Sequence, residues 1–188
     1  MKLACLYTGG KDSTLALCKT LSLNYKVSCL ITILPKTEES YMFHYANINL
    51  VKYQAKALGI KLIAKKTEGE KEKELEDLKR AIKTAIRKYR INGVISGAIK
   101  SIYQASRIQK VCSNLNVWCF NPIWLISKND YIKEFKKFEI NAIISQVSAY
   151  PLNGNHLGLT FNGNLLNEFE KMKINPFGEG GEFETFAT

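Results

Sequence analysis

Short apolar segments alternate with amphipathic helical patterns from residue 2 to about residue 120. The apolar segments are 2–8, 26–34, 61–66, 92–99 and 117–122, and the helical patterns between them are 11–23, 46–58, 70–89 and 102–115. Strands that are apolar along nearly their whole length are typical of a parallel sheet with helices on both faces. The alternation therefore predicts an open, doubly wound α/β fold, whose ligands bind beyond the carboxyl ends of the strands.

The sequence changes character after Pro122. A helical pattern at 128–137 leads to an apolar strand at 141–150, a polar stretch rich in glycine and asparagine at 153–164, and a last helical pattern at 164–172. We therefore predict a main domain over residues 1–120 and a small C-terminal α+β subdomain over residues 121–188. The polar stretch at 153–164 is expected to be mobile.

Composition limits the class of protein. With 188 residues and 46% hydrophobic residues the chain suits one soluble domain with a small appendage, and no apolar run is long enough to cross a membrane. Residues 1–8 lead directly into the motif described below, so they are not expected to be a signal peptide, and we predict a cytoplasmic protein without a membrane partner. The five cysteines form no CxxC pair and are expected to be buried, unpaired, reduced thiols.

A formal net charge of +10 raises the question of a nucleic-acid partner. Many of the cations alternate with glutamates, as in EGEKEKELEDLKR at 68–80, which is typical of a solvated helix face. Nucleic acid is therefore not expected as a partner. The positive charge also suits a polyphosphate ligand or an acidic protein.

A polar motif, TGGKDS, follows the first apolar segment and precedes the first helix. Adjacent glycines allow a tight turn and a close approach to a ligand, and the amino end of a helix offers unpaired N–H groups to an anion. Lys11 would add a mobile cation, Thr8 and Ser13 would add hydroxyl donors, and Asp12 would cap the helix or hold a metal ion. The simpler alternative is a Gly-Gly turn capped by Asp12 or Ser13.

This motif differs from GxxxxGK[ST] and from GxGxxG, and it resembles the S/T-G-G-x-D-S PP-loop of ATP pyrophosphatases, with Thr8 in place of the usual serine. The resemblance implies that the loop holds the β- and γ-phosphates of ATP, which leave together as pyrophosphate. A carboxylate or carbonyl oxygen that attacks the α-phosphate becomes an adenylate.

Further stretches carry a more specific resemblance: EESYMFH at 38–44, GEKEKE at 69–74, SGAI at 96–99 followed by YQ and Arg107, Pro122 with Trp124, and GEGGEFET at 178–185. Together with TGGKDS they resemble the diphthine–ammonia ligase family. Members of that family continue beyond the last motif, whereas this chain ends at Thr188.

The resemblance implies an adenine-nucleotide α-hydrolase-like fold and a ligase reaction. The carboxylate of diphthine on translation elongation factor 2 is adenylated by ATP with Mg²⁺, and ammonia derived from free ammonium displaces AMP to give an amide. The partner is then a protein side chain, so an open site is expected. The sequence does not decide whether the protein is a homodimer.

Candidate site residues follow from the motifs. The candidate ATP-binding residues are Thr8, Gly9, Gly10, Lys11, Asp12, Ser13, Ser96 and Gly97. The candidate substrate-binding residues are Glu39, Ser40, Tyr41, His44, Tyr103, Gln104, Arg107 and Trp124. The candidate catalytic residues are Lys11, Asp12, Glu179, Glu182 and Glu184, and Asp12 is the candidate Mg²⁺ ligand.

Physical reasons support several of these choices, each beside a simpler alternative. The three glutamates could bind Mg²⁺, orient a cationic substrate or deprotonate ammonium, or they could form an ordinary acidic loop. Tyr41, Tyr103 and Trp124 could form an aromatic cage for the quaternary ammonium of diphthine, although Trp124 could equally be core. Arg107 could pair with phosphate or carboxylate. Glu70 and Glu72 remain weaker candidates on a helix face, His156 is expected to be exposed, and no zinc site is expected.

Two other functions compete with the ligase. A tRNA-modifying PP-loop enzyme would fit the basic charge, but the unpaired cysteines and the absence of a stacking-rich RNA module speak against it. A nucleotide-binding regulator without catalysis would need the loop but not the carboxylate-rich GEGGEFET.

Overall fold

The computed structural model describes residues 1–36, 47–68 and 73–188. Its strands are β1 (Lys2–Leu6), β2 (Lys26–Pro35), β3 (Lys61–Thr67), β4 (Gly93–Ile95), β5 (Trp118–Phe120), β6 (Ala142–Val147) and β7 (Phe183–Ala187). Its α-helices are α1 (Lys11–Ser22), α2 (Val51–Ala57), α3 (Lys73–Tyr89), α4 (Ile102–Asn114), α5 (Lys128–Lys137) and α6 (Gly163–Lys171). Short 3₁₀ turns occupy Ile48–Leu50 and Gly154–His156.

The first five strands form one parallel sheet with the order β3-β2-β1-β4-β5. The chain moves outward from β1 to β3 and then returns to the other side of β1 with β4. This change of direction opens a crevice at the carboxyl ends of β1 and β4, where ligands bind in such sheets. The predicted doubly wound, adenine-nucleotide α-hydrolase-like fold is confirmed.

Helices cover both faces of this sheet because successive strand residues point to opposite sides. Leu3 and Cys5 of β1 belong to a core cluster with Leu15 and Leu17 of α1. Ala4, between them, belongs to a second cluster beneath α3 and α4. The central strands β1, β2 and β4 are therefore largely buried, as expected for the nearly all-apolar strands of a parallel sheet, whereas the edge strands β3 and β5 are largely exposed or half-buried.

The C-terminal portion is an antiparallel ribbon of β6 and β7 with α5 and α6 beside it. Its aromatic residues Phe161, Phe169 and Phe183 lie in the same core cluster as Leu15 of α1. The portion thus packs on the α1 side of the parallel sheet, and a domain boundary near residue 120 stays a prediction.

Two expectations differ from the structure. The segment 92–99 is extended only over Gly93–Ile95, and Ser96 then turns the backbone, its hydroxyl accepting the Ala98 N–H at 3.2 Å. The stretch at 153–164, expected to be mobile, is held by an Ile143–Thr160 bridge and by Asn162, which caps α6 through the N–H groups of Asn164 and Leu165. Within the described ranges, no helix is long and apolar enough to cross a membrane.

Candidate active site

The loop between β1 and α1 requires glycine at position 9. Gly9 has a φ of +78°, and a Cβ at this position would lie 2.3 Å from Oε1 of Gln54. The Gln54 amide nitrogen donates to the carbonyl oxygens of Gly9 (3.1 Å) and Ala187 (2.7 Å), and the Ala187 N–H donates to Gly9 at 2.8 Å. The first loop and the last strand are therefore fixed to each other.

The amino end of α1 has no side chain from its own turn as a cap. Gly10 is the N-cap residue, and the Lys11 N–H donates instead to Oγ1 of Thr185 on β7, at 3.1 Å. The alternative in which Asp12 or Ser13 caps the helix is wrong. Among the described residues, the N–H groups of Asp12 and Ser13 have no partner, which leaves them able to bind an anion.

Two predicted hydroxyls lie beside these amides. The Ser13 hydroxyl accepts the Thr8 N–H at 3.3 Å and lies 3.2 Å from the Thr8 hydroxyl. It also lies 3.1 Å from the carbonyl oxygen of Gly10, to which it donates. The sequence motif therefore produces a compact group of amides and hydroxyls at the carboxyl end of β1.

Lys11 does not provide the expected mobile cation. Its side chain is only 3% exposed, and its ammonium donates to Oδ2 of Asp12 at 2.7 Å and to the carbonyl oxygen of Phe177 at 2.5 Å. The rings of Phe161 and Phe183 also lie near this ammonium, with centroids at 5.4 and 5.6 Å. The Lys11 side chain therefore points into the C-terminal portion. There the Phe177 carbonyl oxygen and the faces of the two aromatic rings stabilise its buried charge.

Tyr131, which the sequence did not suggest, completes this network. It is fully buried, and its hydroxyl donates to the second oxygen of Asp12, Oδ1, at 2.8 Å. Burial, and then the adjacent Asp12 carboxylate, hold the pKa of Tyr131 well above its usual range. The spacing of Tyr131 and Phe135 on α5 indicates core positions, but no sequence signal links Tyr131 to Asp12.

The acidic segment at 178–185 contacts the loop after β4. The Glu179 carboxylate accepts the N–H groups of Ile99 at 2.8 Å and Lys100 at 2.7 Å. The same loop contains Gly97, where a Cβ would lie 2.9 Å from the Ser13 nitrogen and 3.0 Å from the Asp12 carbonyl carbon. Glycine is needed here because the loop touches the backbone of the first turn of α1.

The other two candidate glutamates make contacts different from those of Glu179. The Glu182 carboxylate accepts the Gly180 N–H at 2.9 Å, and Glu184 faces Gln146 in the β6–β7 ribbon. The described part of the chain contains no group of three or more His, Cys, Asp or Glu side chains arranged to hold a metal ion. The metal-binding and proton-transfer roles of these glutamates stay predictions.

Some of the predicted substrate residues can be located. The Arg107 guanidinium lies 3.6 Å from the centroid of the Tyr103 ring, so one face of that ring already carries a cation. The Gln104 N–H donates to the capping hydroxyl of Ser101 at the start of α4, and Trp124 is half-buried. The remaining predicted residues lie outside the described ranges: Glu39, Ser40, Tyr41, His44, Glu70 and Glu72.

His156 differs from expectation, whereas all five cysteines are free, as expected, and Cys5, Cys29 and Cys112 are buried. His156 is 8% exposed rather than on the surface, and its Nδ1 accepts the Asn153 N–H at 3.1 Å. Cys112 and Cys119 are not isolated. The hydrogen bond from the Cys112 thiol to Cys119 lowers the pKa of Cys119 and raises the pKa of Cys112.

The fold and the loop together define a class of protein. A parallel sheet that changes direction beside a double-glycine loop, with free amides at the following helix, is an adenine-nucleotide α-hydrolase-like fold. Comparison with known proteins narrows the class. Residues 1–118 match the family model described as the diphthamide synthase N-terminal domain. The chain belongs to this family of diphthine–ammonia ligases.

Curated relatives match over the whole chain. The diphthine–ammonia ligase of Mus musculus is 30% identical over 209 residues, covering 100% of this chain and 78% of the relative. That of Homo sapiens is 28% identical over 212 residues, with the same coverage. The solved structure of a predicted subunit of tRNA methyltransferase from Methanocaldococcus jannaschii has a TM-score of 0.48 and 17% identity, covering 98% of this chain and 95% of that chain.

Proposed function

We propose that this protein is a cytoplasmic ligase that converts the carboxylate of diphthine on translation elongation factor 2 into an amide. ATP is the energy source and ammonium is the nitrogen donor. Family membership supports the proposal, since the relatives from mouse and human are diphthine–ammonia ligases.

One observation carries the proposal beyond family membership. The acidic segment at 178–185 lies against the double-glycine loop: Thr185 accepts the first N–H of α1, at 3.1 Å, and Glu179 holds the loop after β4. An enzyme that adenylates a carboxylate and then admits ammonia needs anion-binding amides and carboxylates in one cleft. Here the two motifs share the crevice at the carboxyl ends of β1 and β4.

The residues present fit the polyphosphate of ATP. The amides of Asp12 and Ser13 and the partial positive charge at the amino end of α1 favour an anion, and the Thr8 hydroxyl adds a donor. The Asp12 carboxylate would hold Mg²⁺, which usually needs only one or two protein carboxylates in addition to phosphate oxygens. When bound, the ion would neutralise charge on the phosphates.

The reaction balances in two steps. A carboxylate oxygen of diphthine attacks the α-phosphorus of ATP, and the bond to the β-phosphate oxygen breaks, which releases pyrophosphate and forms an acyl-adenylate. Ammonia then attacks the acyl carbon, AMP leaves with the bonding electrons, and the amide remains. Because ammonium has no lone pair, a base must first remove one of its protons.

Glu182 is our candidate for that base, and the residue is half-buried. Glu182→Gln should lower kcat by about 10²-fold or more if the proton passes to Glu182. Glu168→Gln, at an exposed glutamate of α6, is the matched control and should leave kcat unchanged. Amide formation at the wild-type rate in Glu182→Gln would exclude Glu182 as the base.

The overall function is tested by measuring pyrophosphate and AMP release with MgATP, ammonium and elongation factor 2 that carries diphthine. We expect equimolar AMP, pyrophosphate and amide, and no turnover when either ammonium or the modified factor is omitted. Turnover with tRNA in place of the factor would show a tRNA-modifying enzyme. ATP binding without pyrophosphate release under any of these conditions would show a regulator.

A further inference from the structure

The edge of the parallel sheet opposite the proposed active site carries a groove rich in lysine. Its volume is about 380 Å³, and it lies where β1, β2 and β3 begin and α3 ends. Lys2, Lys26, Lys61 and Lys88 line it. Lys2 and Lys26 are register partners on adjacent strands, which lie about 4.8 Å apart.

This edge is basic without interruption. The segments that meet here are 1–2, 23–28, 58–61, 87–93 and 115–118, and they contain six lysines and arginines but no aspartate or glutamate. The additional cations are Arg87 and Arg90, both exposed, at the end of α3. These segments therefore carry a net charge of +6, out of +10 for the whole chain. The clustering is not visible in the linear sequence, because the segments are far apart in the chain.

Within the part of the chain that the structure describes, none of these six cations forms an ion pair. Some lysines elsewhere do have counter-charges, since Lys79, Lys128 and Lys133 pair with carboxylates on their own or a neighbouring helix. Like charges that converge without counter-charges repel one another until an anion neutralises them. The edge is therefore prepared for a multivalent anion.

Exposed aromatic rings lie at the same edge. Trp118, the first residue of β5, is 70% exposed, and Tyr25, which precedes β2, is 40% exposed. Rings beside a line of cations offer stacking surfaces for bases next to sites for phosphates, a combination found in proteins that bind single-stranded nucleic acid.

We propose that this basic edge, made of Lys2, Lys26, Lys61, Arg87, Lys88 and Arg90 with Trp118 and Tyr25, binds a single strand of nucleic acid. The lysine groove contacts the phosphodiester backbone and the aromatic rings stack on bases. The surface lies at the amino ends of the strands, away from the double-glycine loop, so it can be occupied together with the proposed active site. This inference does not rest on the proposed ligase function.

The test measures the fluorescence anisotropy of a labelled, unstructured RNA of about 20 nucleotides, which exceeds the site size of a single small domain. The full chain should bind this RNA. If four lysines contact phosphates, a plot of the logarithm of the association constant against the logarithm of the salt concentration should have a slope of about −3 between roughly 50 and 200 mM salt. The triple variant K26E/K61E/K88E should lose at least about tenfold in affinity. If this charge-reversal variant folds poorly, the neutral variant K26A/K61A/K88A replaces it and should also bind RNA more weakly than the wild type.

The matched control is K136E/K171E/K173E, which changes the net charge equally at exposed lysines of the C-terminal portion. It should change the affinity less than about twofold. Trp118→Ala should reduce the affinity about tenfold if a base stacks on the ring. These two results together with the loss in the edge variant would establish the site.

Three outcomes would overturn the proposal. RNA that does not bind at low salt would exclude the surface as a nucleic-acid site. Equal loss in the control variant would show that only net charge matters. If polyglutamate competes as well as unlabelled RNA and Trp118→Ala has no effect, the edge binds an acidic protein instead.

Discussion

The ammonium of Lys11, in the double-glycine loop, donates a hydrogen bond of 2.5 Å to the carbonyl oxygen of Phe177, in the segment that leads to β7. The two residues are 166 positions apart in the chain. Because Asp12 accepts a hydrogen bond from Lys11 and another from Tyr131, the first turn of α1, helix α5 and the acidic segment form one connected unit. The proposed nucleotide site is thus built jointly by both ends of the chain.

Lys11→Met should destabilise the protein by about 2–4 kcal/mol, since it leaves the Phe177 carbonyl and the Asp12 carboxylate without their cationic partner. Methionine retains the apolar stem, so the loss reports mainly on the charge. Urea unfolding of the wild type and the variant measures this loss of stability, and the m-value should be the same for both proteins.

Lys19→Met is the control for this variant. Lys19 lies on the same helix, is only half-buried, and makes no ion pair with any residue in the described ranges. Its replacement should change stability by less than about 0.5 kcal/mol. If both substitutions lowered the free energy of unfolding equally, the hydrogen bonds of the buried Lys11 ammonium would contribute no stability beyond what any lysine of this helix contributes.

Glu179→Ala should weaken ATP binding about tenfold, because the loop after β4 loses the carboxylate that holds the amides of Ile99 and Lys100. Glu179→Gln retains one acceptor oxygen and should lose less. Calorimetric titration with a non-hydrolysable ATP analogue measures the dissociation constant. A variant that binds the analogue normally but has a lower kcat would assign Glu179 to the chemistry rather than to positioning.

The order of strands and helices could be predicted because apolar strands and amphipathic helices have different periods, and the double-glycine motif marks where the first strand meets its helix. Strand β7 could not be predicted, because Phe183–Ala187 is strand only by pairing with β6. Tyr131 was missed for a related reason. Its bond to Asp12 joins positions 119 residues apart, and the aromatic residue has the spacing of ordinary core.

Lys11 shows a different limit of sequence reasoning. A lysine next to glycines at a helix start predicts a phosphate contact, but its direction depends on what covers the loop. Here Phe161, Phe177 and Phe183 come from the C-terminal portion, and together with Asp12 they enclose the ammonium. The local motif contains no information about that cover.

Gly97→Ala should destabilise the protein by about 1–3 kcal/mol and weaken nucleotide binding, because the new methyl group would push against the backbone of Asp12 and Ser13. Backbone cannot move aside as a flexible side chain can. Gly154→Ala is the control, since a Cβ there has no atom within 4 Å and the change should be within about 0.5 kcal/mol. Normal nucleotide affinity in Gly97→Ala would show that the loop after β4 does not position the amino end of α1.

Tyr131 makes stability depend on alkaline pH. Its pKa in the folded protein is well above the value near 10 of an unfolded chain, because the ring is buried and the Asp12 carboxylate lies beside it. Above about pH 10 the unfolded state releases this proton while the folded state keeps it, so stability falls as pH rises, by at most about 1.4 kcal/mol per pH unit for this residue.

Tyr131→Phe should therefore cost about 1–2 kcal/mol at pH 8, where the hydrogen bond to Asp12 is lost, and the deficit should shrink as pH rises from 10 toward 12. Tyr7, whose pKa burial raises to about 12, remains in both proteins and contributes equally to each curve. Urea midpoints across this pH range measure the difference. Tyr150→Phe, at a ring that is almost fully exposed, should leave the slope unchanged. A deficit that stays constant with pH would mean that folding does not raise the pKa of Tyr131.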